Sequence, residues 1–446
     1  MKILHIFHNY NIDNGVERTS LTLLKALRPL GVHSHAVIPS LGDVTRELEK
    51  ENFPYHVLPL HCCGSSVWRA QIRFLSNADE RINKLEALLR TEKFDVVHLN
   101  TGHLLDGAIA SARVGVPVIW HIHAPFEVDF QRYKDLIGEE GYAWILGGLG
   151  SQVIAVSDDV RESLAGYLRP ELIQTVYNGI DVEELIERSN KKGTDIYQEL
   201  DLPENAKLIL GVGRISEQKN FSAFVHVAES VLKQRADVFF AIVGPQQDKQ
   251  LAAALENQIQ TAKLSDRVFL LGARQDVPQL LKQSDAFLST AAYEGQGLAA
   301  LEAMALERPV VAMACVGLRE CIRNEVDGIL VPPGDIEATA FAILQVLKDS
   351  SLALRLGAAG RLAVHQRFSN RLYAQKFIEI AQQAILDGPS RVDFGALAAI
   401  HGLLHQITLA RSRIVELDRP SWRYRYARVL LNKGSILLHK LKEKLI

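Results

Sequence analysis

Two glutamates with seven residues between them, Glu294 and Glu302, stand in the segment YEGQGLAALEAMA. Glu294 falls in a glycine-rich turn after the apolar run AFLST, and Glu302 on a helix expected over 298–306. Gly295 and Gly297 remove side chains where the helix N-terminus presents unpaired N–H groups, a setting that can cradle a phosphate or sugar hydroxyls. A carboxylate at the turn can grip sugar hydroxyls, and one a helical turn inward can accept both hydroxyls of a ribose. The same residues also fit a plainer pattern, a helix capped by Glu294 with Glu302 facing solvent.

A second segment, GVGRISEQKN, closes an apolar run. Gly211 and Gly213 permit a tight strand-to-loop turn, and Arg214 and Lys219 follow in the loop. Two cations at the carboxyl edge of a parallel strand suit a diphosphate leaving group, whose charge grows as its bond breaks. Two exposed basic side chains in a loop would look the same. A dinucleotide fingerprint fits poorly, because Ser216 stands where the third glycine belongs. In DNGVERTSLTLLKAL, Gly15 opens a helix after the first apolar run and allows a ligand close to the backbone. In PVIWHIHAP, His121 and His123 alternate and share one strand face. His123 falls at the carboxyl edge, and His121 is expected to be packed inside. Ten of the fifteen histidines precede residue 124. No carboxylate or cysteine completes a ligand set with them, so no metal and no cofactor is expected.

These residues need elements to hold them. Short apolar runs rich in Val and Ile alternate with amphipathic stretches along the chain: KILHIF, HAVIP, YHVLPL, DVVHLN, PVIWHIH, QVIAVS and QTVYNG, then KLILGVG, VFFAIVG, RVFLLG, AFLST, PVVAM and GILVPPG. Near-continuous apolar strands separated by helices indicate parallel sheets covered on both faces. The pattern restarts after a polar stretch at 183–205, so the expected fold is α/β with two Rossmann-like doubly wound units, 1–185 and 186–386. Such units face each other across a cleft at the carboxyl ends of their strands. A helix expected over 370–386 ends at Asp387-Gly388-Pro389.

The remainder, 387–446, reads as a basic helical extension. From Arg391 onward there are 11 Lys and Arg against 4 Asp and Glu, on a chain whose net charge is −2. Trp422, Tyr424 and Tyr426 alternate with arginines, and Leu430, Leu437, Leu438, Leu441 and Leu445 can share a face. That make-up suits an interfacial helix on an anionic membrane, or equally a helix packed on protein. No run of 18 apolar residues reads as a spanning helix, and the N-terminal run is too short for a signal peptide. The four cysteines lack zinc spacing and favour a reducing compartment. The expected location is cytoplasmic, with peripheral attachment to the inner leaflet through 391–446. No nucleic-acid partner is expected.

Taken in order, NGVER, WHIHAP, AVSDDVRESL, VYNGID, GVGRISEQKN, EGQGLAALEAMALERPVVA and VDGILVPPGD resemble family 4 of the retaining glycosyltransferases, over roughly 1–386. The resemblance implies the GT-B fold and transfer of a hexose or N-acetylhexosamine from a UDP or GDP sugar. The acceptor would be a glycan or lipid-linked glycan in cell-envelope polysaccharide or lipopolysaccharide synthesis. It also implies roles. Arg214 and Lys219 would bind the donor diphosphate and Glu302 the ribose. Glu294 would hold the transferred sugar, with the backbone of Gly297 and Leu298. Gly15 would lie against the donor and His123 over the sugar. In such enzymes attack and departure share one face, and cations stand in for a metal.

Three positions depart from the family pattern. Asn14-Gly15 replaces Gly-Gly, and Gly317-Leu318 replaces the Gly-Gly before Glu320. Gln296 stands where an aromatic is common, which bears on sugar selection. Other readings compete: a GT-B epimerase or phosphorylase, an inactive scaffold, and a nicotinamide-dependent dehydrogenase. The EGQGLAALEAMA segment weighs against the first, the intact charged residues against the second, and Ser216 against the third.

Overall fold

A computed structural model describes residues 1–12, 15–60, 78–131, 138–192 and 195–389. The apolar runs form two wholly parallel sheets. The first holds β1 (Lys2–Ile6), β2 (His33–Ile38), β3 (Tyr55–Val57), β4 (Val96–Leu99), β5 (Val118–Ile122), β6 (Gln152–Ala155) and β7 (Ile173–Thr175), in the order β3-β2-β1-β4-β5-β6-β7. The second holds β8 (Lys207–Val212), β9 (Val238–Val243), β10 (Val268–Leu270), β11 (Ala286–Ser289), β12 (Val310–Met313) and β13 (Ile329–Val331), in the order β10-β9-β8-β11-β12-β13. Central strands such as β4 and β9 are buried at every residue, because helices cover both faces. In each sheet the order reverses beside the first strand, and ligands of open α/β sheets bind at that switch point.

Five helices bear on the site: α1 (Gly15–Leu27), α2 (Asp158–Ala165), α3 (Leu298–Ala305), α4 (Leu318–Cys321) and α5 (Asn370–Asp387). Ser157 caps α2, its hydroxyl accepting from the Val160 N–H at 3.2 Å. Gly297 opens α3 in the left-handed region at φ 84°, where a side chain would be strained and would also strike Leu318.

The chain passes between the two sheets twice, and the two passages run side by side. The Ile180 N–H donates to the Phe368 carbonyl at 2.7 Å, and the Asn370 N–H to the Ile180 carbonyl at 3.1 Å. A Cβ on Gly179 would lie 2.6 Å from the Asn370 Cα, so only glycine lets the strands approach this closely. After the second passage, α5 lies on the first sheet. Tyr373, Phe377, Ile380 and Ala384 share a core with Ile3, Val96, Ile119 and Ile154. The expected 186–386 unit thus sends its last helix back to the first sheet. The physical reason is an apolar face on α5 that the β1–β4–β5–β6 surface buries. The 185/186 boundary itself falls inside a helix, Val182–Asn190. The expected extension beyond Pro389, including 391–446, lies outside the described residues.

Candidate active site

The loops after β8, β11 and β12 meet the first turn of α3, and the N-terminus of α1 and the end of β5 face them from the first sheet. Lys219, in the loop after β8, pairs with Glu294 in the loop after β11. Gly213 makes room for it: a Cβ there would lie 2.7 to 3.0 Å from the lysine methylenes. Gln218 donates through Nε2 to the other Glu294 oxygen at 3.3 Å and to the Tyr293 carbonyl at 3.2 Å. Arg214 reaches the amide oxygens of Gln247 and Gln218, both at 3.4 Å.

Glu302 is buried one turn into α3 and does not face solvent. Its Oε1 accepts from Nη2 of Arg18, which belongs to α1. A Cβ on Gly15 would sit 2.7 Å from Leu298 Cδ1, so the first turns of α1 and α3 are packed together. A Cβ on Gly295 would lie 2.1 Å from the His123 carbonyl oxygen, which brings β5 against the Glu294 turn. These contacts link all eight residues singled out, Gly15, His123, Arg214, Lys219, Glu294, Gly297, Leu298 and Glu302, across the facing ends of the two sheets.

A row of histidines is buried on the first sheet beneath α5, with the His5 and His98 rings against Phe377 and His121 against Tyr373. His5 and His98 bond through their Nδ1 atoms at 2.9 Å, and His98 Nε2 meets His121 Nδ1 at 3.1 Å. Ser34 closes the far end, 3.2 Å from His5 Nε2. His121 is buried as expected, and its ring stacks on His123 with centroids 4.4 Å apart. Burial pushes the His5 imidazole down to about 3, and burial with neighbouring histidines holds His98, His121 and His123 well below the usual range. His123 is therefore a neutral ring, and its Nε2 has no hydrogen-bond partner among the described residues.

Two contacts escaped the sequence reading. Gln296 is buried. Its Oε1 accepts from the Asn178 N–H at 2.6 Å and its Nε2 donates to the Asn178 carbonyl at 3.1 Å, clasping the turn to the first inter-sheet passage. Glu320, in α4, accepts from the Asp158 N–H at 2.7 Å and the Asp159 N–H at 2.5 Å at the start of α2. Burial raises the Glu320 carboxyl. Beside it, Asp159 accepts from the Gly317 N–H at 2.9 Å and pairs with Arg319. Gly317-Leu318 thus keeps working backbone contacts. Gly317 sits at φ 83° with its missing Cβ 2.5 Å from the Glu294 carbonyl, and Leu318 packs under Gly297. Asn14 lies outside the described residues. The signal for Arg18 was present, since it follows Gly15 by three residues and so shares its helix face.

A loop bearing two cations, two carboxylates and a helix N-terminus across two facing Rossmann-like sheets define a GT-B glycosyltransferase. A family model described as "Glycosyl transferases group 1" matches 194–363, and one described as "Glycosyltransferase Family 4" matches 13–184. The chain belongs to glycosyltransferase family 4. The Escherichia coli UDP-Gal:alpha-D-GlcNAc-diphosphoundecaprenol alpha-1,3-galactosyltransferase is 29% identical over 364 residues, 79% of this chain and 89% of that one. The Mycobacterium tuberculosis alpha-maltose-1-phosphate synthase is 27% identical over 354 residues, 72% of this chain and 89% of that one. Among solved structures, Anabaena HepE in complex with UDP and glucose superposes with a TM-score of 0.72 at 23% identity, covering 86% of this chain and 99% of that one.

Proposed function

We propose that the enzyme is a retaining transferase of a hexose or N-acetylhexosamine from a nucleotide diphosphate sugar, UDP- or GDP-linked. The observation that carries this reading is the Lys219–Glu294 pair at the N-terminus of α3, with Glu302 one turn inward. Lys219 and Arg214 hold the diphosphate and stabilise its growing charge, which is the work a metal does elsewhere. Glu302 accepts the ribose hydroxyls, while Glu294 and the Gly297 and Leu298 N–H groups hold the sugar. Neutral His123 turns Nε2 to a sugar hydroxyl, and Gly15 lets the α1 turn close on the donor. Burial, first of all, pushes the Cys315 thiol up to about 12, which keeps it protonated. Retention then follows from attack on the face the diphosphate leaves, its phosphate oxygen taking the acceptor proton.

The named relatives support a nucleotide sugar donor and an acceptor such as a lipid-linked glycan, since the E. coli relative acts on a diphosphoundecaprenol acceptor with UDP-Gal. The UDP complex of HepE favours uridine as the base. Cell-envelope polysaccharide or lipopolysaccharide synthesis is the setting in which such acceptors occur. Among the described residues no helix is long and apolar enough to cross a membrane. A cytoplasmic enzyme docked on an anionic inner leaflet through 391–446 fits the basic, aromatic and leucine-rich sequence there. A panel of UDP and GDP sugars, scored by hydrolysis and thermal stabilisation with and without a chelator, tests the donor and the independence from metal. Turnover that vanishes with chelator and returns with a divalent cation contradicts the proposed role of Arg214 and Lys219.

A further inference from the structure

Arg18 reaches out of the first unit into the second unit's site. It lies one turn after Gly15 on α1, and the α1 turn is packed on Leu298 at the start of α3. Its guanidinium is partly exposed, 38% at the side chain, yet its partner Glu302 is 7% exposed. The charged end of a flexible, accessible side chain is thus held on a buried carboxylate of the opposite wall.

The pairing sets up a competition. Glu302 is the carboxylate read as the ribose acceptor, and Arg18 occupies one of its oxygens. The other cations are unequally engaged. Lys219 is paired with Glu294, whereas Arg214 meets neutral amide oxygens at 3.4 Å. A sugar nucleotide brings two negative charges on its diphosphate, and the departing diphosphate carries more. A guanidinium has five donors in a planar fork that matches phosphate oxygens, so Arg18 gains more from phosphate than it loses at Glu302.

We infer that Arg18 is a donor ligand supplied by the first unit, held in reserve on Glu302 until a diphosphate draws it away. This rests on the reading of the cleft as a nucleotide-sugar site. Binding exchanges partners: the guanidinium moves to a phosphate oxygen, and Glu302 is released to the ribose. A bare nucleoside must break the Arg18–Glu302 pair without that compensation, so the pair selects for phosphate-bearing ligands.

Calorimetry on the full chain with UDP, uridine, GDP and guanosine tests this in the wild type, Arg18→Ala and Arg18→Lys, with unfolding midpoints to confirm folding. Arg18→Ala is expected to weaken diphosphate binding about tenfold or more while nucleoside affinity holds or rises, and Arg18→Lys to fall between. Diphosphate affinity unchanged or tightened in a folded Arg18→Ala protein overturns the proposal and leaves the donor site standing. A wild-type chain that binds neither UDP nor GDP overturns the reading of the cleft, and the role of Arg18 with it.

Discussion

The two units bury polar groups in opposite ways. On the second unit, opposite charges face each other within hydrogen-bond reach, with Lys219 on Glu294 and a buried Glu302 reached by a cation from across the cleft. On the first unit, His5, His98, His121 and His123 form a row of neutral rings joined by hydrogen bonds or stacking. A charged wall suits a leaving group whose charge grows during reaction. The neutral row is closed off beneath α5, and only its last member, His123, stands at the strand end that meets the Glu294 turn.

Removing charge from the second wall has the largest expected effect. Lys219→Ala and Glu302→Ala each cost turnover about 10²-fold or more, since each removes a charge-assisted donor contact. Steady-state rates on folded variants check this, and near-normal turnover would refute the assignment.

The buried histidine row is expected to respond to pH. Above its ordinary value of 6.5, His5 is neutral whether the chain is folded or not, and it adds nothing to the pH dependence. Below 6.5 the unfolded chain takes up a proton that the folded one refuses until about pH 3, so stability falls as pH falls. His5 alone contributes a loss of about 2 kcal/mol by about pH 5, and His98, His121 and His123 act in the same direction. Denaturant unfolding at pH 8 and pH 5 measures it, and equal midpoints contradict neutral burial of the row.

The clasp between the walls comes next. Gln296→Ala leaves the Asn178 N–H and carbonyl without their partner, at a cost of about 1–3 kcal/mol in unfolding free energy. The ranking of donor sugars is expected to stay as in the wild type. A changed ranking with unchanged stability would return Gln296 to sugar selection.

Much of this was legible because burial on both faces writes a parallel strand as an unbroken apolar run. Each of the strands β1 to β13 corresponds to such a run, from KILHIF to GILVPPG. The close-packed loops were legible for a related reason: Gly213, Gly295 and Gly297 mark loops after strands where backbone or side chains come too close for a Cβ. The partners were not. Arg18 and Glu302 are 284 positions apart, and Gln296 and Asn178 are 118 apart, so no local pattern records either contact. Likewise the amphipathic face of α5 announces that it is buried and not which sheet buries it.

The smallest expected effect on catalysis lies in the tail. A chain stopped at Ser390 should turn over a water-soluble acceptor as the full chain does, yet lose sedimentation with anionic vesicles. Equal vesicle binding by both chains, or by neither, rules out membrane docking through 391–446.

The central claim is transfer with retention at a site where Lys219, Glu294 and Glu302 of the second unit meet Arg18 of the first. The most direct test is proton NMR of the product formed from the nucleotide sugar that the enzyme accepts, read at the anomeric position before any mutarotation. An α-linked donor giving an α-linked product is the predicted result, and a β-linked product would contradict the account.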